Sequence, residues 1–66
     1  MQESKARQFL RKRQVAARYS VVSRTIDRWS EDGRLPKPVH IGEVPMWALD
    51  ELEAAEREAM RSRSDD

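Results

Sequence analysis

The chain contains no cysteine, so it has neither disulfide staples nor thiolate zinc sites, and its composition fits a reducing compartment. Its single histidine, His40, has no second imidazole or thiol to join it, which removes the usual transition-metal sites. His40 reads instead as an exposed strand residue. The two glycines, Gly33 and Gly42, stand apart from each other, and no Gly-rich phosphate loop can be built from them. No apolar run approaches the roughly 18 residues of a membrane span, and no signal-peptide core follows Met1. No Ser/His/Asp set can be drawn. The carboxylates of "DELEAAERE" have arginines at helical spacing, such as Glu53–Arg57, and read as surface pairs rather than an acid/base dyad. Catalysis has no support, and no metal, cofactor or small-molecule ligand is expected.

Charge is what the chain has in quantity. Lys and Arg number 13 against 12 Asp and Glu, a net charge of +1. The distribution is uneven. Residues 1–40 hold ten basic residues against four acids, or +6, and residues 41–66 hold three against eight, or −5. This asymmetry suggests a basic surface for a polyanion, with an acidic flank turned away from it. A high charge content also serves solubility in any small helical protein.

A chain of 66 residues holds one domain with a marginal core, because it hides only about 60% of its unfolded surface. Residues 1–8 are polar and predict a flexible N-terminal arm; residues 9–60 predict the folded domain, and 61–66 a disordered tail. Phe9 and Leu10 are an apolar pair before the basic cluster Arg11-Lys12-Arg13. Val15, Ala16 and Tyr19 then recur as one face of a short helix. Ser20 and Val21 interrupt it. Val22, Ile26 and Trp29 recur at i, i+4, i+7, so a second helix begins near Val22 or Ser23 and closes at Asp32-Gly33. In "RLPKPVHIGEVPMW" the prolines forbid helix, and Val39 to Trp47 reads as a two-stranded hairpin turning at Gly42-Glu43, with Pro45 on an edge. "DELE" predicts a capping box, with Asp50 as N-cap and Glu53 reaching back. Val15, Ala16, Tyr19, Val21, Ile26, Trp29, Leu35, Val39, Trp47 and Leu52 form the expected core. Trp29 and Trp47 could in principle stack on single-stranded bases, but their spacing favours the core.

The stretch "QVAARYSVVSRTIDRWSEDGRLPKPVHIG…MWALDELEA" resembles the AlpA-type prophage regulators and related excisionases, over roughly Leu10 to Ala55. Its most specific parts are Thr25-Ile26, Arg28-Trp29, the Gly33–Pro38 corner "GRLPKP", and Trp47 before an acidic helix start. The resemblance implies a MerR-like winged helix-turn-helix: mainly α, with a two-stranded wing and a C-terminal helix. It departs from the family at Ser20, where glycine is usual, at Val22, where a serine cap is usual, and at Ala55, where tryptophan is usual. The first two make the start of the second helix uncertain by one residue.

Such a fold would present Ser23, Arg24, Asp27 and Arg28 to base edges in the major groove. Arg11, Lys12, Arg13, Thr25, Arg34 and Lys37 are the candidates for phosphate contact, and His40, Gly42 and Glu43 form the wing tip. The implied function is sequence-specific binding of double-stranded DNA by a cytoplasmic protein of a bacterial mobile element. It would act as a recombination directionality factor, bending attachment-site DNA for an integrase, or as a transcriptional regulator of integrase genes. Expected partners are DNA, further copies of the chain on adjacent sites, and an integrase; no membrane is involved. An alternative from a different class is a protein-interaction adaptor that uses the acidic last helix without binding DNA.

Overall fold

The computed structural model describes residues 7–63. These form three helices and a three-stranded antiparallel sheet, in the order β1 (Phe9–Arg11), α1 (Lys12–Tyr19), α2 (Ser23–Asp32), β2 (Val39–Ile41), β3 (Val44–Ala48) and α3 (Leu49–Arg63). The sheet runs β1-β3-β2, with Leu10 opposite Trp47 and His40 opposite Pro45.

The corner between α1 and α2 is made without glycine. Ser20 takes the left-handed conformation at φ 58°, and its N–H and that of Val21 close on Ala17 and Ala16 carbonyls at 3.2 and 3.0 Å. A serine pays for this conformation with a close approach of Cβ to the carbonyl, which glycine avoids. Val22 follows in extended backbone as the N-cap of α2 and supplies no side-chain cap. The helix therefore starts at Ser23, the later of the two expected positions. Gly33, at φ 87°, ends it, and the Arg34 and Leu35 N–H groups return to the Trp29 carbonyl at 2.9 and 3.2 Å.

The core gathers one side of each element. Val15, Ile26 and Leu52 are fully buried, and Trp47 nearly so, with Ala16, Leu35 and Ala48 beside them. Leu10, Tyr19, Val21 and Trp29 pack around this centre and remain partly exposed. The Trp47 indole N–H points at two acceptors, Ser30 Oγ at 3.2 Å and the Pro36 carbonyl at 3.1 Å. This explains why a serine can be buried on the inner face of α2.

Ionic contacts hold α3 to the first helix and to the start of the described chain. Arg18 donates twice to the Glu56 carboxylate, at 2.6 and 2.7 Å, and the Tyr19 hydroxyl donates to the same group at 2.5 Å. The Arg18 hydrogen bond holds the Glu56 carboxyl below its usual range, and the Arg18 guanidinium is raised in turn. Burial, helped by the Glu56 contact, pushes the Tyr19 phenol up to about 12. Arg7 contacts Asp50 at 3.2 Å and Glu51 at 3.4 Å, and its hydrogen bond lowers the Asp50 carboxyl.

Several expectations are corrected. The sheet has three strands rather than two, because Phe9–Arg11 adds β1 against β3. Val39 is 47% exposed and does not belong to the core. Helix α3 begins at Leu49, so Asp50 lies in its first turn rather than at the N-cap, and the Leu49 N–H donates to the Gln8 carbonyl at 2.8 Å. The helix continues to Arg63, past the boundary expected at residue 60. At the other end, the contacts of Arg7 and Gln8 tie down the last two residues of the expected arm. Residues 1–6 of that arm and 64–66 of the expected tail lie outside the described residues. On α3 the ion pair is Glu58–Arg61 at 3.5 Å, and no Glu53–Arg57 bridge forms among the described residues.

Pro45 lies in the central strand, not on an edge. Ile41 and Val44 flank a two-residue turn with positive φ at both Gly42 (59°) and Glu43 (71°), the primed geometry that suits a hairpin. The next pair, His40↔Pro45, is then a non-hydrogen-bonded one, and the proline nitrogen faces away from β2. On that side β1 reaches only to the Arg11↔Met46 pair, so the missing donor leaves no ladder bond broken.

Candidate nucleic-acid interface

Helix α2 divides its residues by face. Ile26 and Ser30 are buried and Trp29 is half-buried, whereas Ser23, Arg24, Asp27, Arg28 and Glu31 are all exposed on the opposite side. Thr25, in the first turn, is half-buried, and its N–H is satisfied by the Val22 carbonyl at 3.0 Å.

The structure sorts the basic residues between positions 7 and 37 into two groups. Arg7 and Arg18 neutralise carboxylates of α3, and Lys12 pairs with Asp27 at 3.0 Å. Arg11, Arg13, Arg24, Arg28, Arg34 and Lys37 are exposed and have no ion-pair partner among the described residues. Part of the acidic half of the sequence, expected to be turned away from the basic half, is thus bound to it.

Of the cations without an ion-pair partner among the described residues, all but Arg34 lie on or near the exposed side of α2. Arg11, Lys12 and Arg13 line a surface cleft with Val44 and Pro45, between the start of α1 and the hairpin. The Lys12–Asp27 pair joins that cluster to the outward face of α2. A second cleft places Lys37 and Pro38 beside Asp27 and Glu31. Arg34 is not part of this set: it lines an apolar groove with Tyr19, Trp29, Ala55 and Ala59, on the side facing α3. His40, Gly42 and Glu43 are exposed at or near the hairpin tip.

The placement of charge along the helices is informative. A helix carries partial positive charge at its N-terminus, so acids there and bases at the C-terminus stabilise it, each by about 0.3–1 kcal/mol. Helix α3 follows this rule, with Asp50 and Glu51 in its first turn. The first turns of α1 and α2 contain no acid; they carry Lys12 and Arg13, and Arg24. Helix α2 also ends on Glu31 and Asp32, with no base in its last turn. Both helices therefore place positive charge at the pole that is already positive, at some cost to their own stability, although α1 also keeps Arg18 in its last turn, where a base is favourable. An anion bound there would reverse the cost.

The partnership of Lys12 with Asp27 and the internal use of Arg7 and Arg18 were not visible in the sequence. The partners lie 15, 43 and 38 residues apart, and no helical spacing connects them. Among the described residues, no three His, Cys, Asp or Glu side chains converge as a metal site, and no helix is long and apolar enough to cross a membrane. Comparison with protein-family models, curated proteins and solved structures finds no match in any of the three.

Proposed function

We propose that the chain is a small winged helix-turn-helix protein that binds double-stranded DNA through the exposed face of α2. In this reading α1 and α2 form the helix-turn-helix, the β2–β3 hairpin is the wing, and β1 widens the sheet behind it. The observation that carries the reading is the positive charge at the N-terminal ends of α1 and α2, set against the helix dipoles; within it, Arg11, Arg13 and Arg24 have no ion-pair partner among the described residues. Arg24 and Arg28, with Ser23, reach base edges, where arginine makes two hydrogen bonds to guanine. Arg11, Arg13 and Lys37, with the hydroxyl of Thr25, hold phosphates to either side. Arg34, on the α3 side, contributes less.

The resemblance to AlpA-type regulators and excisionases supports a role in a bacterial mobile element. The chain would bind and bend attachment-site DNA to favour excision by an integrase, or regulate the integrase gene. A single domain of this size covers one half-site, so several copies would occupy adjacent repeats. DNA bending and excision assays, with and without the protein, separate the architectural role from repression.

The adaptor reading has one observation in its favour. Residues 57–62 of α3 are exposed throughout, with Met60 at 57%, and they offer a surface to a protein partner. Salt dependence separates the two readings. On duplex DNA without the recognised bases, Arg24 and Arg28 lie against phosphates as Arg11, Arg13 and Lys37 do, and these five cations, which have no ion-pair partner among the described residues, predict a log–log salt slope of about −4.5. An adaptor shows no salt-sensitive retention on DNA, and its binding is indifferent to Arg24→Ala and Arg28→Ala.

A further inference from the structure

Building on the DNA-binding reading, we infer that Asp27 is a specificity-determining residue that acts by holding Lys12 away from the DNA backbone. The Lys12 ammonium lies 3.0 Å from both oxygens of the Asp27 carboxylate. Lys12 belongs to the basic cluster at the start of α1, and Asp27 to the middle of the exposed face of α2. It is the one ion pair between these two helices among the described residues. Each partner is accessible, with side-chain exposures of 34% and 53%. The pair therefore lies in the surface that meets DNA, not beneath it.

An aspartate at this position works against non-specific binding in two ways. It neutralises one of the cations that would otherwise meet a phosphate, and it brings a negative charge to the face of Arg24, three residues before it on the helix. Its neighbours Arg11 and Arg13 have no ion-pair partner among the described residues, so the effect falls on Lys12 alone. On a sequence that offers an amino group in the major groove, from cytosine or adenine, the carboxylate gains an acceptor role there. Lys12 is then released to a phosphate, and both groups keep a partner. On a sequence without that amino group the pair stays closed, and the complex lacks one phosphate contact. Discrimination arises because the two contacts are made together or not at all.

The test uses a scrambled duplex and compares Asp27→Asn with the wild-type chain over 50 to 200 mM salt. Asparagine keeps the shape and removes the charge. The slope is expected to steepen by about 0.9, the value of one further phosphate. The fall in affinity across that salt range then grows by a further factor of about 3.5. Adding Lys12→Met to Asp27→Asn returns the slope to the wild-type value. Glu31→Gln removes an equal charge from the same face without releasing a lysine, and leaves the slope unchanged. Thermal melts of each variant check that the fold persists. If Asp27→Asn leaves the slope unchanged, or if the steepening survives the loss of Lys12, the inference is overturned and the DNA-binding reading stands. If the wild-type chain shows no salt-sensitive binding, both fall.

Discussion

Replacing Glu56 by alanine removes the acceptor that Arg18 and Tyr19 share, and it should cost about half of the stability of the domain. The Arg18–Glu56 contact is bidentate, at 2.6 and 2.7 Å, but both side chains are about a third exposed (33% and 29%). Solvent screening places it near the top of the surface range, at about 1 kcal/mol, and not at the several kcal/mol of a buried pair. The half-buried Tyr19 hydroxyl loses its hydrogen bond as well, for about another 1 kcal/mol. A domain of this size has only about 3–5 kcal/mol in total, and each kcal/mol moves Tm by about 4–8 °C. Glu56→Ala is thus expected to lower Tm by about 8–16 °C. The pH dependence follows from the directions of the shifts. The folded Glu56 carboxyl is depressed below its usual 4.5, so its contribution is complete above that value and fades as the pH falls through the lowered one. The Tyr19 phenol is raised to about 12 from 10.0. Its contribution is complete below pH 10.0 and is lost as the pH climbs toward 12. Since Tyr19 is the only tyrosine, near-UV absorbance reads its titration directly, and Glu56→Ala should move the midpoint down. A melting temperature within about 2 °C of wild type, with an unmoved phenol, would refute the reasoning.

The interior and the corner between α1 and α2 give further tests. Trp47→Phe leaves Ser30 Oγ and the Pro36 carbonyl without their donor, and chemical denaturation should show a loss of about 1–3 kcal/mol. Ser20→Gly removes the strain of a left-handed serine, and Val22→Ser gives α2 the side-chain cap it lacks. Each should stabilise by about 0.5–1 kcal/mol in the same assay, and an unchanged midpoint for both would mean that the corner is not strained.

The helices were legible because their apolar spacing matches the core they fill: Val15, Ala16, Ile26 and Leu52 are buried where the period places them. The corner was legible in position, and Ser20 and Val22, which lack the glycine and the capping side chain such a turn favours, are the residues with unusual backbone or a missing cap. The strand β1 was not legible. Three residues are too few to show an alternating pattern, and Phe9-Leu10-Arg11 becomes a strand only because β3 offers it an edge. Val39 alternates correctly for a core strand but lies on β2, which is entirely exposed. At the candidate interface, the sequence marked the exposed face of α2 but not its electrostatics. Whether a given arginine is available to DNA depends on which carboxylate the fold brings to it, and those partners are distant in the chain. Arg18 and Lys12 look alike in the sequence. One locks α1 to α3, and the other lies on the surface that faces the proposed ligand.

The most direct measurement is the binding of the chain to a scrambled duplex, on which Arg24 and Arg28 meet phosphates rather than bases, as a function of salt, for wild type and for the Arg24→Ala, Arg28→Ala double variant. A wild-type slope near −4.5 that falls to about −2.7 in the double variant, with both proteins equally folded, is the predicted result. Binding that is absent at low salt, or a slope that the two substitutions leave unchanged, would contradict the assignment of the exposed face of α2 as a DNA-reading surface.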